Sequence, residues 1–596
     1  MKYDWNLSLL CNEDDTWKQQ YDELKNKIMV INNETEHLLD NINLFIKFLN
    51  DYIDMNMKIE IIYCYPKRNL DLDLKNDKYK LMFNDALALY QDILKIINIF
   101  ENRLLNNIDL VNKYLDNEKC SKYRRYIYLI LRKKEHILTN RDYKLKYEEV
   151  LYEIKNRYQD LFNNGFEIKQ LLLDNKVVDV NRFNYSDLML DNNQNNRKII
   201  FDAYTKEYEK CNDILANLYL NKLKNDIDLA KEEKYDSLLS KKLFELELNT
   251  DIVDNLIKKI NENLHIMQDY TKLKKEILGL EKLHFYDTSL SLCSIPKIEY
   301  TFEDAVKLIK NSLSVLGKKY IKLIDKMFNE GWVDVYPKND KRSSSFTCIS
   351  YVGVPYILIN FDGSINSIRT LIHEIGHAVN VYYSKENNSF EYFEFSYFLT
   401  EIASKVNELL FNQYMINNCQ NEDEKIYILN NIISSLGNSL FGQVMLTEFE
   451  HTIIKKITNN ENVNSDTLNY IYLDISKKYN GNDMEYEDNI KYGWSKVQHY
   501  IMQESYYLYQ YSIGAAIACN ISKRILDNEP EILDKYVKFL SVGNSVSIKE
   551  ALSYIDINLE NSNYIENALI TLDNSIKELR KIKSRSKSDM NPVSWT

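Results

Sequence analysis

The run Leu81-Met82-Phe83-Asn84-Asp85-Ala86-Leu87-Ala88-Leu89-Tyr90-Gln91-Asp92-Ile93-Leu94-Lys95-Ile96-Ile97 decides the fold class. Its apolar residues at 82, 86, 89, 93 and 97 return every three or four positions, which is the spacing of one helix face. The surroundings are equally free of breakers. No glycine precedes Gly165, and between Pro66 and Pro296 there is no proline and only Gly165 and Gly279. The whole chain of 596 residues holds 6 Pro and 13 Gly, where average usage gives roughly 30 and 40. An all-β sandwich, barrel or propeller needs far more turn residues than that, so a mainly α body is expected.

The polar stretch Asp191-Asn192-Asn193-Gln194-Asn195-Asn196 is the best linker and divides the chain into an N-terminal helical lobe, residues 1–190, and a second part, residues 191–596. No repeat of fixed period suggests a solenoid. From residue 331 the character changes, and ten of the thirteen glycines fall between there and residue 543. Within this part Pro355-Tyr356-Ile357-Leu358-Ile359-Asn360-Phe361, closed by Asp362-Gly363, predicts a short strand, and its leading proline suits a first or edge position.

Composition excludes several roles. A net charge of −12 argues against nucleic acid as a partner, because phosphate binding needs a basic face. The one basic run, Arg580-Lys581-Ile582-Lys583-Ser584-Arg585-Ser586-Lys587, fits a solvated helix end. No segment reaches the ~18 continuous apolar residues of a membrane span, and the opening residues lack a signal sequence. Eight scattered cysteines fit reduced thiols, so a cytoplasmic location is expected.

Chemistry concentrates in Ile372-His373-Glu374-Ile375-Gly376-His377-Ala378-Val379. On a helix starting near Asn366 or Ser367, His373 and His377 lie one turn apart and can reach one metal ion, while Glu374 leans toward a bound water. A chance match to this pattern is expected about 0.01 times in such a chain. Thr370, His373, His377 and Asn380 form a polar stripe on an otherwise apolar helix, which must therefore face a cavity or a metal. Gly376 in mid-helix signals a close backbone approach. A catalytic zinc needs a third ligand. Metzincin spacing would place Gly at Asn380 and His at Tyr383, and two other known offsets fall on Ser396 and Tyr397. Glu401 remains, 28 positions after His373 on a second helical segment, with small Ala403 and Ser404 beside it; Glu391 and Glu394 are the alternatives.

These motifs resemble the oligoendopeptidase F branch of the thimet-oligopeptidase-like zinc metallopeptidases. The resemblance rests on His373-Glu374-Ile375-Gly376-His377 and Thr400-Glu401-Ile402-Ala403-Ser404, with Lys341-Arg342-Ser343, Leu283-His284-Phe285-Tyr286-Asp287 and Asp4-Trp5-Asn6-Leu7 as weaker signatures. It implies one zinc held by His373, His377 and Glu401, with Glu374 as general base. It also implies a large two-lobed helical body with a deep central channel and a small β-sheet beside the zinc helix. The segment His499 to Gly514 is similar to the family's His/Tyr segment, which implies that Tyr507 and His499 help bind the oxyanion, with Tyr511 on the same helix face as Tyr507. Tyr356, on the predicted strand, is a candidate substrate contact. Three positions depart from the family pattern: Asn380 in place of a histidine, Ser344 in place of a glycine, and Gln498 in place of a proline.

The activity so implied is hydrolysis of short unstructured peptides at internal bonds. A carboxypeptidase on the same scaffold is the runner-up, and a non-catalytic helical peptide-binding protein is the alternative from another class. The remaining histidines, 37, 136, 265, 284 and 451, have no partner at metal spacing and are expected to be structural or surface residues.

Overall fold

The computed structural model describes residues 3–138, 141–165, 169–182, 184–293 and 299–588. It is 72% helical, about twice the helix content of an average globular protein, and is mainly α as the sequence predicts. Two compact units, each discontinuous in sequence, divide the chain. The first comprises Met1–Ile137, Ile298–Phe411 and Ile521–Ile557, and the second comprises Leu138–Lys297, Asn412–Asn520 and Asn558–Thr596.

In the first unit the helices Asp14–Glu34, Ile42–Leu72 and Asp77–Asn106 pack in sequence order. The last of these buries Met82, Ala86, Leu89 and Ile93 as one face, joined by Ile96, Phe100 and Leu104. Asn41 and Asn76 cap two of these helices by accepting backbone N–H groups of the first turn, the standard use of a short polar side chain there. The unit also holds a small three-stranded sheet beside the helix that carries His373. Strand Ile357–Leu358 lies in the middle, parallel to Val333–Asp334 on one side and antiparallel to Phe346–Thr347 on the other. The expectation of an edge strand at 355–361 is therefore corrected. Leu358 and Ile357 are wholly buried, and an apolar pair of this kind is placed where both of its backbone edges are bonded; Pro355 lies just before the paired residues and removes no ladder bond.

The weaker signature motifs turn out to build this unit. Trp5 Nε1 donates to the Ile357 carbonyl at 2.8 Å, and Asn6 N–H to Gly331 at 2.7 Å, so the opening segment laces the sheet. Lys341 is buried on Asp334 at 2.7 Å and on the carbonyls of Tyr336 and Ile359. Arg342 Nε reaches Asp71 at 2.6 Å, a fully buried carboxylate that also holds Lys67 and Arg68. Buried charges persist only when paired in this way.

The second unit contains the long helix Gln194–Glu232, opened by the Asn193 cap, so the predicted linker shrinks to the residues just before it. Arg197 on this helix meets Asp287 at 2.6 Å with both side chains essentially inaccessible, which gives the Leu283–Asp287 signature a structural task. A β-hairpin, Lys169–Leu173 with Lys176–Val180, interrupts the otherwise helical N-terminal part. Its turn residues Asp174 and Asn175 both have positive φ, 48° and 64°, the two-residue turn that matches strand twist. Helix Glu422–Gly437 packs on the last helix, Asn563–Ser588. Arg580 and Lys581 are exposed there; the side chains of 585–587, the end of the basic run, lie outside the described residues.

Two helices of the first unit meet backbone to backbone. A Cβ on Gly376 would stand 2.5 Å from Ser404 Cα and 2.7 Å from the Ala403 carbonyl oxygen, both backbone atoms that cannot rotate away. At Gly437, by contrast, a Cβ would meet only the flexible end of Met267. Gly376→Ala is expected to lower unfolding stability by about 3 kcal/mol, the upper range of overpacking, and Gly437→Ala by clearly less, as read from denaturant midpoints.

Candidate active site

The first site helix, Ile365–Asn387, starts from Ser364, whose hydroxyl accepts the Ser367 N–H, within two residues of the start read from sequence. Ile368, Leu371, Ile372, Ile375 and Val379 are buried on it, and that fixes its rotation. The second site helix, Tyr397–Asn418, crosses it at Gly376 with Ala403 and Ser404 as the small partners. Asn407 on the second helix donates to the Ile372 carbonyl at 3.2 Å and accepts from Tyr320 at 2.7 Å, which pins the crossing.

This crossing gathers the predicted donors. The Nε2 atoms of His373 and His377 are 3.1 Å apart. Glu401 lies 3.7 Å from His373 Nε2 and 3.9 Å from His377 Nε2 through its two oxygens. One donor atom from each residue fits within 4.8 Å of the others. Donors held 2.0–2.1 Å from a tetrahedral ion stand about 3.3 Å apart, so these separations bracket the value required. The donor chemistry agrees: burial and the neighbouring His373 push His377 down to about 4, which leaves a neutral imidazole with a lone pair to offer. The residues therefore fit a divalent metal such as zinc. Among the described residues, Glu391 and Glu394 join no such group.

Two supporting residues escaped the sequence reading. Glu408 Oε1 is 2.5 Å from His373 Nδ1, and Lys405 Nζ is 3.1 Å from both Glu408 oxygens. Burial would raise the Glu408 pKa, but His373 and Lys405 hold it at about 2. Burial disfavours charge on His373, yet Glu408, with Glu401 and Glu374, outweighs it and raises its pKa. A carboxylate on the far nitrogen sets the tautomer of a ligand histidine and turns its other nitrogen toward the metal. The signal was present in sequence: Glu408 follows Glu401 by seven positions and so lies on nearly the same helix face.

The second is Thr347. Its hydroxyl lies 2.7 Å from Glu374 Oε2 and 2.9 Å from the Glu374 carbonyl oxygen. Glu374 is 7% exposed, and burial raises its pKa against the opposing pull of His373 and Thr347. A raised carboxyl group is suited to take and return a proton. Asn380, in the polar stripe, instead donates to the Leu540 carbonyl at 3.2 Å, a packing role.

Tyr356 lies in the packing of the small sheet. Tyr356 is 2% exposed, packs on Trp5 and donates its hydroxyl to the Asn6 carbonyl at 2.9 Å. It is a core residue with little surface for a substrate, and the candidate role is corrected: the Trp5 ring and the Asn6 carbonyl take up the side chain. His499, Tyr507 and Tyr511 lie in the second unit and form one cluster, with ring centroids 6.0 Å apart for His499 and Tyr507 and 5.6 Å for the two tyrosines.

A helical body with His-Glu-x-x-His on one helix and a glutamate on a crossing helix has the layout of the helical peptidases. Residues 188–571 match the model of peptidase family M3, and the chain belongs to that family. An oligoendopeptidase F homolog of Borreliella burgdorferi is 29% identical over 97% of this chain and 98% of its own. Oligopeptidase PepF of Bacillus subtilis is 27% identical over 98% of this chain and 88% of its own. The crystal structure of oligoendopeptidase-F from Enterococcus faecium shares the fold, with a TM-score of 0.74 at 23% identity over 96% and 99% of the two chains. The resemblance read from the motifs is thus shown at the level of family and branch. No helix among the described residues is long and apolar enough to cross a membrane.

Removing the Glu408 support is expected to weaken Zn2+ binding by about 10–100-fold in Glu408→Ala, the usual loss for such a partner. Lys405→Ala, which leaves the Glu408–His373 contact in place, should stay within about threefold in the same metal titration.

Proposed function

We propose that the protein is a zinc-dependent endopeptidase that hydrolyses short, unstructured oligopeptides, acting on cytoplasmic peptide fragments, with residues 191–596 as its catalytic part. The observation that carries this reading is the approach of His373, His377 and Glu401 to one another beside the buried carboxyl group of Glu374. The family start at residue 188 and the oligopeptidase names of the relatives support it.

In this reading His373, His377 and Glu401 hold one zinc ion per chain. When bound, zinc supplies Lewis acidity, polarising the scissile carbonyl and acidifying water. Glu374 takes the proton of the attacking water at Oε1, because Oε2 is engaged by Thr347, and then delivers it to the leaving amine. Burial raises the Glu374 pKa above the usual carboxylate value, which favours its taking and returning a proton. Tyr507, with His499 beside it, donates a hydrogen bond to the developing oxyanion, and Tyr511 supports the ring and contacts substrate. Loss of one oxyanion donor typically costs ~10²–10³ in rate.

Substrate affinity comes from main-chain pairing. The available edge is strand Phe346–Thr347, which pairs with Ile357–Leu358 on one side only among the described residues. Pairing through the backbone makes few demands on side chains, in keeping with broad cleavage of oligopeptides.

Metal analysis and cleavage of a doubly blocked, quenched peptide test the reading together. Wild-type protein is expected to contain one zinc per chain, to cut the blocked peptide internally and to lose activity to a chelator. Glu374→Gln should lower turnover by about 10²–10⁴-fold while retaining zinc; wild-type turnover would remove Glu374 as the base. Glu401→Ala should lose most of its metal, and full retention would displace the ligand assignment. Cleavage that needs a free carboxyl terminus would make the enzyme a carboxypeptidase.

A further inference from the structure

Tyr506, in the second unit, has φ +59°, a left-handed conformation that is unfavourable for a bulky side chain and persists only where surrounding contacts impose it. It is 3% exposed and its neighbour Ser505 is 1% exposed. Polar contacts from two helices hold the turn. From Gln194–Glu232, Lys222 Nζ donates to Ser505 Oγ at 2.9 Å and pairs with Asp226 at 3.0 Å, and Ser505 Oγ donates to Asp226 at 2.6 Å. From Gln443–Thr458, Glu450 accepts the Tyr506 N–H at 3.0 Å, and His451 Nδ1 meets the Tyr506 hydroxyl at 2.8 Å. The network ends at Tyr147, which donates to Asp226 at 2.9 Å, and at Asp254, 3.1 Å from His451 Nε2.

Four ionisable groups are thus withdrawn from water around two residues. Apolar packing would fill the same volume at lower free-energy cost, so stability alone is a poor account of the arrangement. Polar networks of this kind fix one geometry when every member is satisfied. Here they fix Ser505 Oγ, Tyr506 N–H and Tyr506 Oη at once. Rotation about the backbone of residue 506 moves the next residue first, and the next residue is Tyr507. Tyr507 itself is only half-buried, stacked on His499 and edge-on to Tyr511.

We propose that Lys222, Asp226, Glu450 and His451 are positioning residues for Tyr507, acting through the Ser505–Tyr506 turn that they clamp in a left-handed conformation. The proposal rests on Tyr507 being the oxyanion donor. His451, which its spacing marked as an ordinary structural histidine, acquires a task within the reaction, and Lys222 and Glu450 acquire one that no sequence motif announced.

The test is a double-mutant cycle on the zinc-loaded enzyme with a quenched peptide. Ser505→Ala combined with Tyr506→Phe removes two clamps while leaving the Lys222–Asp226 pair intact, so no buried charge is stranded. It is expected to lower kcat about tenfold or more with KM within twofold and zinc content unchanged. In the Tyr507→Phe background the same pair of changes should have no further effect on kcat, a non-additivity that a general loss of stability does not produce. Glu450→Ala should show the same kcat loss, and Glu450→Gln, which keeps an acceptor for the Tyr506 N–H, should restore most of it at a matched unfolding midpoint. A slow Tyr507→Phe enzyme with a wild-type Ser505→Ala/Tyr506→Phe enzyme overturns the positioning role alone. An equal loss in both backgrounds does the same. A Tyr507→Phe enzyme at wild-type rate overturns the oxyanion assignment and this proposal with it.

Discussion

The candidate site depends on one backbone contact, that of Gly376 against Ala403 and Ser404. Two helices carrying ordinary side chains stand 8–10 Å apart, and removing the Cβ at the crossing brings them nearer. Only then do donors from separate helices stand 3.7–3.9 Å apart, as Glu401 does from His373 and His377. The neighbours follow from the same crossing. Asn407 bonds across it one turn beyond Ser404, and Glu408 lies at the height of His373 on its outer side. Ser404 also turns its hydroxyl back on Glu401, 2.9 Å from the carbonyl and 3.3 Å from Oε2, so the residue that permits the approach steadies the carboxylate.

Electrostatics around this contact is arranged in layers. Glu408 and Lys405 form the outer pair, and Glu408 stays ionised because the His373 ring N–H and the Lys405 ammonium face it. His373 is thereby held as a donor whose inner nitrogen faces its partner histidine. Glu374, on the same helix but toward the sheet, has only a hydroxyl and a histidine to offset its burial, and its pKa rises. Two glutamates near one another are thus tuned in opposite directions by their neighbours, one to remain charged and one to exchange a proton.

Much of this was legible in the sequence. The helical fold followed from the 82/86/89/93 face and the scarcity of breakers. Gly376, Ala403 and Ser404 announced a close crossing because small residues have few other reasons to occupy mid-helix positions beside a metal motif. What stayed hidden depended on long-range pairing. The order of the sheet strands is set by partners 10 to 24 residues away, so Ile357–Leu358 could not be recognised as central from its own composition. Tyr356 shared that error. The 169–180 hairpin escaped because its turn, Asp174-Asn175, contains no glycine. Thr347 and the Ser505–Tyr506 clamp are ordinary residue types in sequence, and their meaning arises only from what folds against them.

Strand Phe346–Thr347 has a consequence for how recognition and reaction are linked. In the proposed function its outward edge is the one a bound peptide pairs with, and its threonine hydroxyl is bonded to the Glu374 carboxylate. Two residues therefore serve as both docking rail and sight. The carboxylate is aimed before any ligand arrives, so in the proposed function a peptide paired along that rail meets a base already in place, and one gripped elsewhere lies out of line with it.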